Sequence, residues 1–285
     1  MRVAVVTDST ADLEPDVAKR SGIDVVPLFV NFGESSFRDR IDITREEFYA
    51  RLGAGGILPS TSQASTASYA ECFARHAAEG SEIVCISISG ALSGTINAAH
   101  AAAKDLPPGT IHIFDSRTVS GGLMLLVHAA AELAANGKSG AEIIRALGEL
   151  RSHQRLFAAV PDLSHAVRTG RVSKGMAMLG GIMKISPVIT LDESGKVAEF
   201  ARVRTFERAL DTLVDATVAH VANAADARIA IVHAGALQSA ETLRERLLSK
   251  LATPPARLDV LETGPAIAVH AGMGATGIFS LFSGG

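Results

Sequence analysis

The sequence predicts an α/β protein of two domains, the first built on a mostly parallel sheet with flanking helices and the second a mixed or antiparallel α/β unit. Three observations carry that prediction. Through the first half of the 285 residues, short β-branched runs alternate with helical patterns, the alternation that builds parallel sheets. Beyond residue 155 neighbouring strand patterns are joined by the hairpin turn Asp192-Glu193-Ser194-Gly195, which marks antiparallel pairing. Asp8-Ser9 and Asp115-Ser116 follow the first and fourth strand patterns, at the carboxyl ends where open parallel sheets form their ligand crevice.

Val3-Ala4-Val5-Val6-Thr7 reads as the first strand, and the helix-type residues after Asp8-Ser9-Thr10 are closed by Gly22. Asp24 to Val30, Ile83 to Ser89 and Ile111 to Phe114 read as the next strands, with helices over Thr66 to Ala78 and Thr95 to Asp105 between them. Arg151 to Gln154 sets the boundary, so the domains are 1–153 and 154–285. The second domain reads as strands over Leu156 to Val160, Ile185 to Leu191 and Lys196 to Arg204. A helix over Ala209 to Asn223, a strand at Ile229 to His233, a helix over Ser239 to Leu251, a strand at Leu258 to Leu261 and a helical stretch from Gly264 to Val269 complete it.

Composition narrows the function. The formal net charge is −3 and basic residues form no long run, so the electrostatic footprint of a nucleic-acid binder is missing. The apolar stretch from Gly122 to Ala135 is broken by His128 and Glu132 and falls short of the ~20 residues that cross a bilayer. Met1 leads straight into a strand pattern without a secretory leader, which sets the expectation of a cytoplasmic protein. Cys72 and Cys85 stand apart from each other and from clustered His, so they are read as core thiols, with no metal expected. Trp is absent and aromatics make up 5%, so a large cavity would be walled by aliphatic side chains.

Two hydroxyl-rich turns carry the chemistry: Pro59-Ser60-Thr61-Ser62-Gln63-Ala64-Ser65 and Ser89-Gly90-Ala91-Leu92-Ser93-Gly94-Thr95. Each precedes a helical pattern, where small hydroxyls and free backbone N–H groups can hold an anion. Helix capping explains one such turn. Two, one with Gln63 added, exceed what capping needs. Neither contains Lys or Arg, which favours a carboxylate over a doubly charged phosphate. Gly272-Met273-Gly274-Ala275-Thr276-Gly277 matches a dinucleotide fingerprint, but too little chain follows to build the rest of that site. Ser93 with His270 and Asp8 or Asp115 would make a hydrolase triad, the alternative reading, in which an acyl ester is cleaved. The Ser93 segment is one residue out of register with a nucleophile elbow. A small-anion binder is the third reading.

Val6-Thr7-Asp8-Ser9-Thr10-Ala11-Asp12-Leu13, Pro59 to Ser65, Leu92-Ser93-Gly94-Thr95, Asp115-Ser116, Gly170-Arg171-Val172-Ser173 and His270-Ala271-Gly272 occur in this order. With them the whole chain resembles the DegV family of bacterial fatty-acid-binding proteins. The family usually has Gly-Pro-Gly where this chain has Gly272-Met273-Gly274. The resemblance implies a non-catalytic carrier that holds an acyl chain such as palmitate between its two domains. It presents the carboxylate to a separate fatty acid kinase, without a cofactor and with at most transient membrane contact. It places Thr61 and Ser93 on the carboxylate, helped by Ser62, by backbone amides near Gly94 and Thr95, and by His270. Gln63 belongs to the same polar pocket. Arg171 and Arg202 fall where partner contacts are expected. An acyl tail of roughly fifteen methylenes would contribute on the order of 12 kcal/mol on burial, against about 1 for each neutral hydrogen bond to the head. Met124, Met176, Met178 and Met183 are candidates for the tail's surroundings, because Met adapts to irregular apolar shapes.

Overall fold

The computed structural model describes residues 2–173 and 185–284. The chain opens with β1 (Val3–Asp8), a 3-10 turn (Ser9–Ala11), α1 (Pro15–Arg20), β2 (Ile23–Val26), β3 (Phe29–Phe32), β4 (Ser35–Arg38) and α2 (Arg45–Ala54). It continues through β5 (Ser60–Ser62), α3 (Thr66–Ala78), β6 (Glu82–Ser87), α4 (Thr95–Ala102), β7 (Ile111–Asp115), α5 (Ser120–Ala135) and α6 (Gly140–Ser152). Then come β8 (Arg155–Ala159), α7 (Ser164–Arg168), β9 (Ser186–Leu191), β10 (Val197–Val203) and α8 (Phe206–Val221). The last elements are β11 (Arg228–His233), α9 (Leu237–Lys250), β12 (Arg257–Glu262), α10 (Pro265–Ala271) and β13 (Thr276–Leu281). Among the described residues no helix is long and apolar enough to cross a membrane.

The first domain holds a four-stranded parallel sheet in the order β2-β1-β6-β7. Its central strands β1 and β6 are buried along nearly their whole length, which is why they read as unbroken β-branched runs instead of alternating ones. The second domain holds a six-stranded sheet in the order β10-β9-β8-β13-β11-β12, antiparallel except for the β11–β12 pair. A small antiparallel sheet, β4-β3-β5, sits apart from both.

Three sequence expectations change here. The strand expected over Asp24 to Val30 is two strands in two sheets, divided at Pro27-Leu28. Proline has no N–H to donate to a ladder, so the chain leaves the parallel sheet at that point. Part of the first hydroxyl turn is strand β5, which pairs with β3 through Thr61 opposite Val30. The glycine-rich stretch near the end of the chain feeds β13, a central strand whose residues are all buried.

Helix α5 joins the two domains. Every residue from Ser120 to Ala130 is buried, and the helix packs on β1 and β6 of one sheet and on β11 and β13 of the other. One core cluster therefore runs from Val84 and Ile86 through Leu123 to Leu126 and on to Val232 and Phe279. Met124, 5% exposed, is part of this core; Met176, Met178 and Met183 lie outside the described residues. The helix approaches the second sheet closely because Gly121 carries no side chain. A Cβ there would lie 2.8 Å from Val232 Cγ2 and 2.9 Å from Ala230 Cβ. Gly121→Ala should therefore destabilise the protein by about 1–3 kcal/mol in urea denaturation, the cost of overpacking. Gly148→Ala in α6, where a Cβ meets nothing within 4 Å, should gain about 0.5–1 kcal/mol from helix propensity.

Candidate ligand-binding site

Strand alternation divides the residues of β5. Ser62 turns outward, where its hydroxyl accepts from Asn31 Nδ2 at 3.0 Å. Thr61 turns inward, with Oγ1 2.8 Å from Nε2 of His270. His270 sits in the last turn of α10, whose start is fixed by the buried carboxylate of Asp12. That carboxylate accepts from the Gly264 amide at 2.7 Å, the Thr263 hydroxyl at 2.6 Å and the Ser120 hydroxyl at 2.5 Å. Pro265 at the first helical position loses no bond there. Asp12 thus ties the position of His270 to the end of β1 and the start of α5, and burial raises its pKa above the ordinary carboxylate value.

The hydrogen bonds assign the imidazole tautomer. Thr169 Oγ1 donates to the His165 carbonyl at 2.8 Å, so it accepts from Nδ1 of His270 at 2.7 Å. Nδ1 carries the proton, and Nε2 accepts from the Thr61 hydroxyl. Burial first, and then the positive charges of Arg171 and Arg168, lower the His270 pKa to about 3. The ring is neutral at physiological pH.

The second hydroxyl turn meets the first through Thr95, whose hydroxyl lies 2.9 Å from Ser93 Oγ and 3.4 Å from the Ala64 amide. Gln63 lies over Gly94 so closely that a Cβ at Gly94 would fall 2.1 Å from Oε1; glycine is required here to let the turns touch. Thr61, Ser93 and His270 line one cavity of about 130 Å³, whose remaining wall includes Leu28, Ile88, Leu92 and Ile267. Ser62, Gln63, Gly94 and Thr95 are not on that wall. Gln63 and Thr95 brace the two turns, and Ser62 faces the other side of β5.

Arg171, expected on a docking face, lines this cavity. Its Nε donates to the Leu92 carbonyl at 3.3 Å and Nη1 to the Thr169 carbonyl, and burial lowers its pKa. The site therefore contains a half-buried cation beside three uncharged groups, which suits an anionic head group facing an apolar chamber. Sequence reading missed it because charge clusters are usually solvated faces. Arg202 stays on the surface of β10, 2.7 Å from Glu199.

The triad chemistry finds no relay. Asp8 spends its carboxylate on the amides of Thr10 and Ile88 and on the hydroxyls of Thr10 and Ser87. Asp115 accepts from the amides of Gly90 and Arg117. Neither reaches His270, and Ser93 bonds to Thr95. Both cysteines are buried and free. Asp24, Cys72 and His76 offer ligand atoms within 4.8 Å of one another, but Arg75 already pairs with Asp24 at 2.6 Å.

Beyond Val119, Ile267 and Ala271, which it shares with the first cavity, a second of about 110 Å³ runs towards Leu156, Val232 and Phe279. The first cavity thus adjoins an apolar space beside the second-domain sheet.

Known proteins share this architecture. A DegV domain-containing protein of Clostridium acetobutylicum is 34% identical over 284 residues, 98% of this chain and 97% of the relative. The structure of a DegV family protein from Thermus thermophilus, described as fatty acid binding, superposes with a TM-score of 0.92 at 32% identity, covering 99% of this chain and all of the other. A stearic acid-binding protein from Eubacterium ventriosum superposes with a TM-score of 0.90 at 25% identity over 98% of both chains. The family described as "Uncharacterised protein, DegV family" matches residues 2–283. Since the match spans both sheets and every element of the cavity, the chain belongs to the DegV family.

Proposed function

We propose that this protein binds a long-chain fatty acid, with the carboxylate at Thr61, Ser93, His270 and Arg171 and the acyl tail between the two sheets. The observation that carries the reading is the single cavity in which the hydroxyls of Thr61 and Ser93, an imidazole and a half-buried guanidinium meet a wall that is otherwise aliphatic apart from Thr10, whose hydroxyl donates to Asp8. The fatty-acid-binding description of the Thermus thermophilus relative supports it. Hydrogen bonds set the head's orientation, and tail burial supplies most of the affinity, at about 0.8 kcal/mol per methylene. The tail path runs from the first cavity past Val119 and Ile267 into the second. Each cavity is smaller than the roughly 300–1,000 Å³ of ordinary ligand pockets, so a long chain fills both and displaces side chains between them.

In this reading Thr61 changes partner on binding. Its hydroxyl proton turns from Nε2 of His270 to the carboxylate, whose charge in turn favours protonation of the imidazole. The protein then serves as a non-catalytic carrier. It keeps the tail from water while a separate fatty acid kinase phosphorylates the carboxylate at the head end. Arg202, exposed on β10, is the candidate for the kinase-facing surface.

Mass spectrometry of the lipid that co-purifies from the expression host tests the reading, with a fatty acid at near one equivalent as the expected result. Ser93→Ala and Thr61→Val should each weaken displacement of a fluorescent fatty acid about tenfold, the loss of one hydrogen bond to a charged group. Protein that carries no lipid and takes none up from solution would overturn the proposal.

A further inference from the structure

A larger cavity, of about 500 Å³, lies where the β7–α5 loop, the junction of α6 with β8, and the β9–β10 turn meet. It is independent of the fatty-acid reading. Arg117, Arg151 and Arg155 all line it. Among the described residues each guanidinium hydrogen-bonds only through Nη1: Arg117 to the Glu193 carbonyl at 3.1 Å, Arg151 to the Asp115 carbonyl at 2.6 Å, and Arg155 to the carbonyls of Ser152 and Gln154 at 3.0 and 2.7 Å; Arg151 also lies over the Phe114 ring, 4.7 Å from its centroid. Among the described residues none of the three has a carboxylate partner within ion-pair distance, although most other arginines here do.

Two carboxylates, Asp192 and Glu193, line the same space without pairing to these arginines. Asp192 accepts from the amides of Ser194 and Lys196 and from the Ser194 hydroxyl, within its own turn. Asp115 holds the amides of Gly90 and Arg117, and its charge weighs less on Arg151 than that of Arg117 does. Glu193 stands at the solvent edge. Among the described residues Arg117 is also one of four non-glycine residues with positive φ, at 52°, a conformation that costs energy and recurs at ligand sites. Three guanidinium groups outnumber the two carboxylates, Asp192 and Glu193, on the same wall, and a concave space with that excess of positive charge suits an anion. The concavity fits a small molecule better than a protein surface, and Leu156 and Leu191 add an apolar wall for an organic substituent.

We propose that this cleft binds a phosphate group, as inorganic phosphate or as a small phosphate ester, through Arg117, Arg151 and Arg155. Because its walls come from the first domain, with Arg117 and Arg151, and from the start of β8 and the β9–β10 turn of the second, with Arg155, the bound anion would bridge the two.

Calorimetry of the full-length protein with inorganic phosphate and with phenyl phosphate, at ionic strength held constant with sodium chloride, tests this. One saturable site is expected, with Arg155→Gln and Arg117→Gln each lowering affinity about tenfold at an unchanged melting temperature. Arg208→Gln, on the exposed face of α8, should leave binding as it was. In the unmodified protein, phosphate should shift the Nε–H resonances of Arg151 and Arg155. Tighter binding of phenyl phosphate identifies an ester as the ligand, and equal binding identifies free phosphate. Heat no different from that of added chloride, or an equal loss with Arg208→Gln, would overturn the assignment.

Discussion

Replacing Arg171 with glutamine is expected to weaken fatty-acid binding by about 2 to 3 kcal/mol, roughly 30- to 150-fold. The side chain is tethered by two backbone carbonyls on the wall of the head-group cavity, so its cation is already in place and binding loses little further entropy to order it. A carboxylate entering this cavity gives up water and gains a charge-assisted bond; without Arg171 it would face a neutral imidazole and two hydroxyls. The measurement is displacement of a fluorescent fatty acid, run in parallel with a fatty alcohol of the same chain length. The alcohol carries no charge, and its affinity should hardly change. Equal weakening of both ligands would mean that Arg171 shapes the cavity instead of countering a charge.

The second large effect is on pH dependence. The pKa of His270 lies at about 3 in the folded chain, below the value of about 6.5 in an unfolded one. Between these values the unfolded chain takes up a proton that the folded one refuses, so the stability tied to this residue is intact above about pH 6.5 and declines as pH falls towards 3. Comparison with His270→Gln isolates the effect, since the other titrating groups cancel. The stability of the native protein relative to the variant should fall by about 2 kcal/mol between pH 7 and 4.5, somewhat less than the full shift implies because the ring is not sealed from water. Urea denaturation at a series of pH values measures it, and a constant difference would show that the ring titrates normally.

Much of the backbone was legible locally. The helix over Thr66–Ala78 and the strands that open the chain and close the β11–β12 pair announce themselves by periodicity and by capping residues such as Ser65. What periodicity could not see is membership. Asp24 to Val30 looks like one strand until Pro27 parts it between two sheets, and β13 hides because Gly272 and Gly274 before it and Gly277 within it resemble a loop. Thr61, Ser93 and His270 were legible as candidates because hydroxyl turns and the family-like motifs mark them, and the fold gathers them around one cavity. The place of Arg171 on the cavity wall depends on carbonyls at Leu92 and Thr169, a tertiary fact with no local signature. Ser62 is implied by the family resemblance, and neither a motif nor composition can tell the inner side of the short edge strand β5 from the outer; Gln63, just beyond that strand, meets Gly94 of the other turn.

Helix α5 has a mechanical consequence. A hinge between two lobes opens cheaply only when little apolar surface crosses it, yet here one helix is walled in by both sheets and belongs to neither alone. Pulling the lobes apart would strip that helix on one side and expose Leu and Val to solvent at about 25 cal/mol for each Å². Traffic through the interior must therefore pass by local yielding of loops at the rim, with the central scaffold remaining shut throughout.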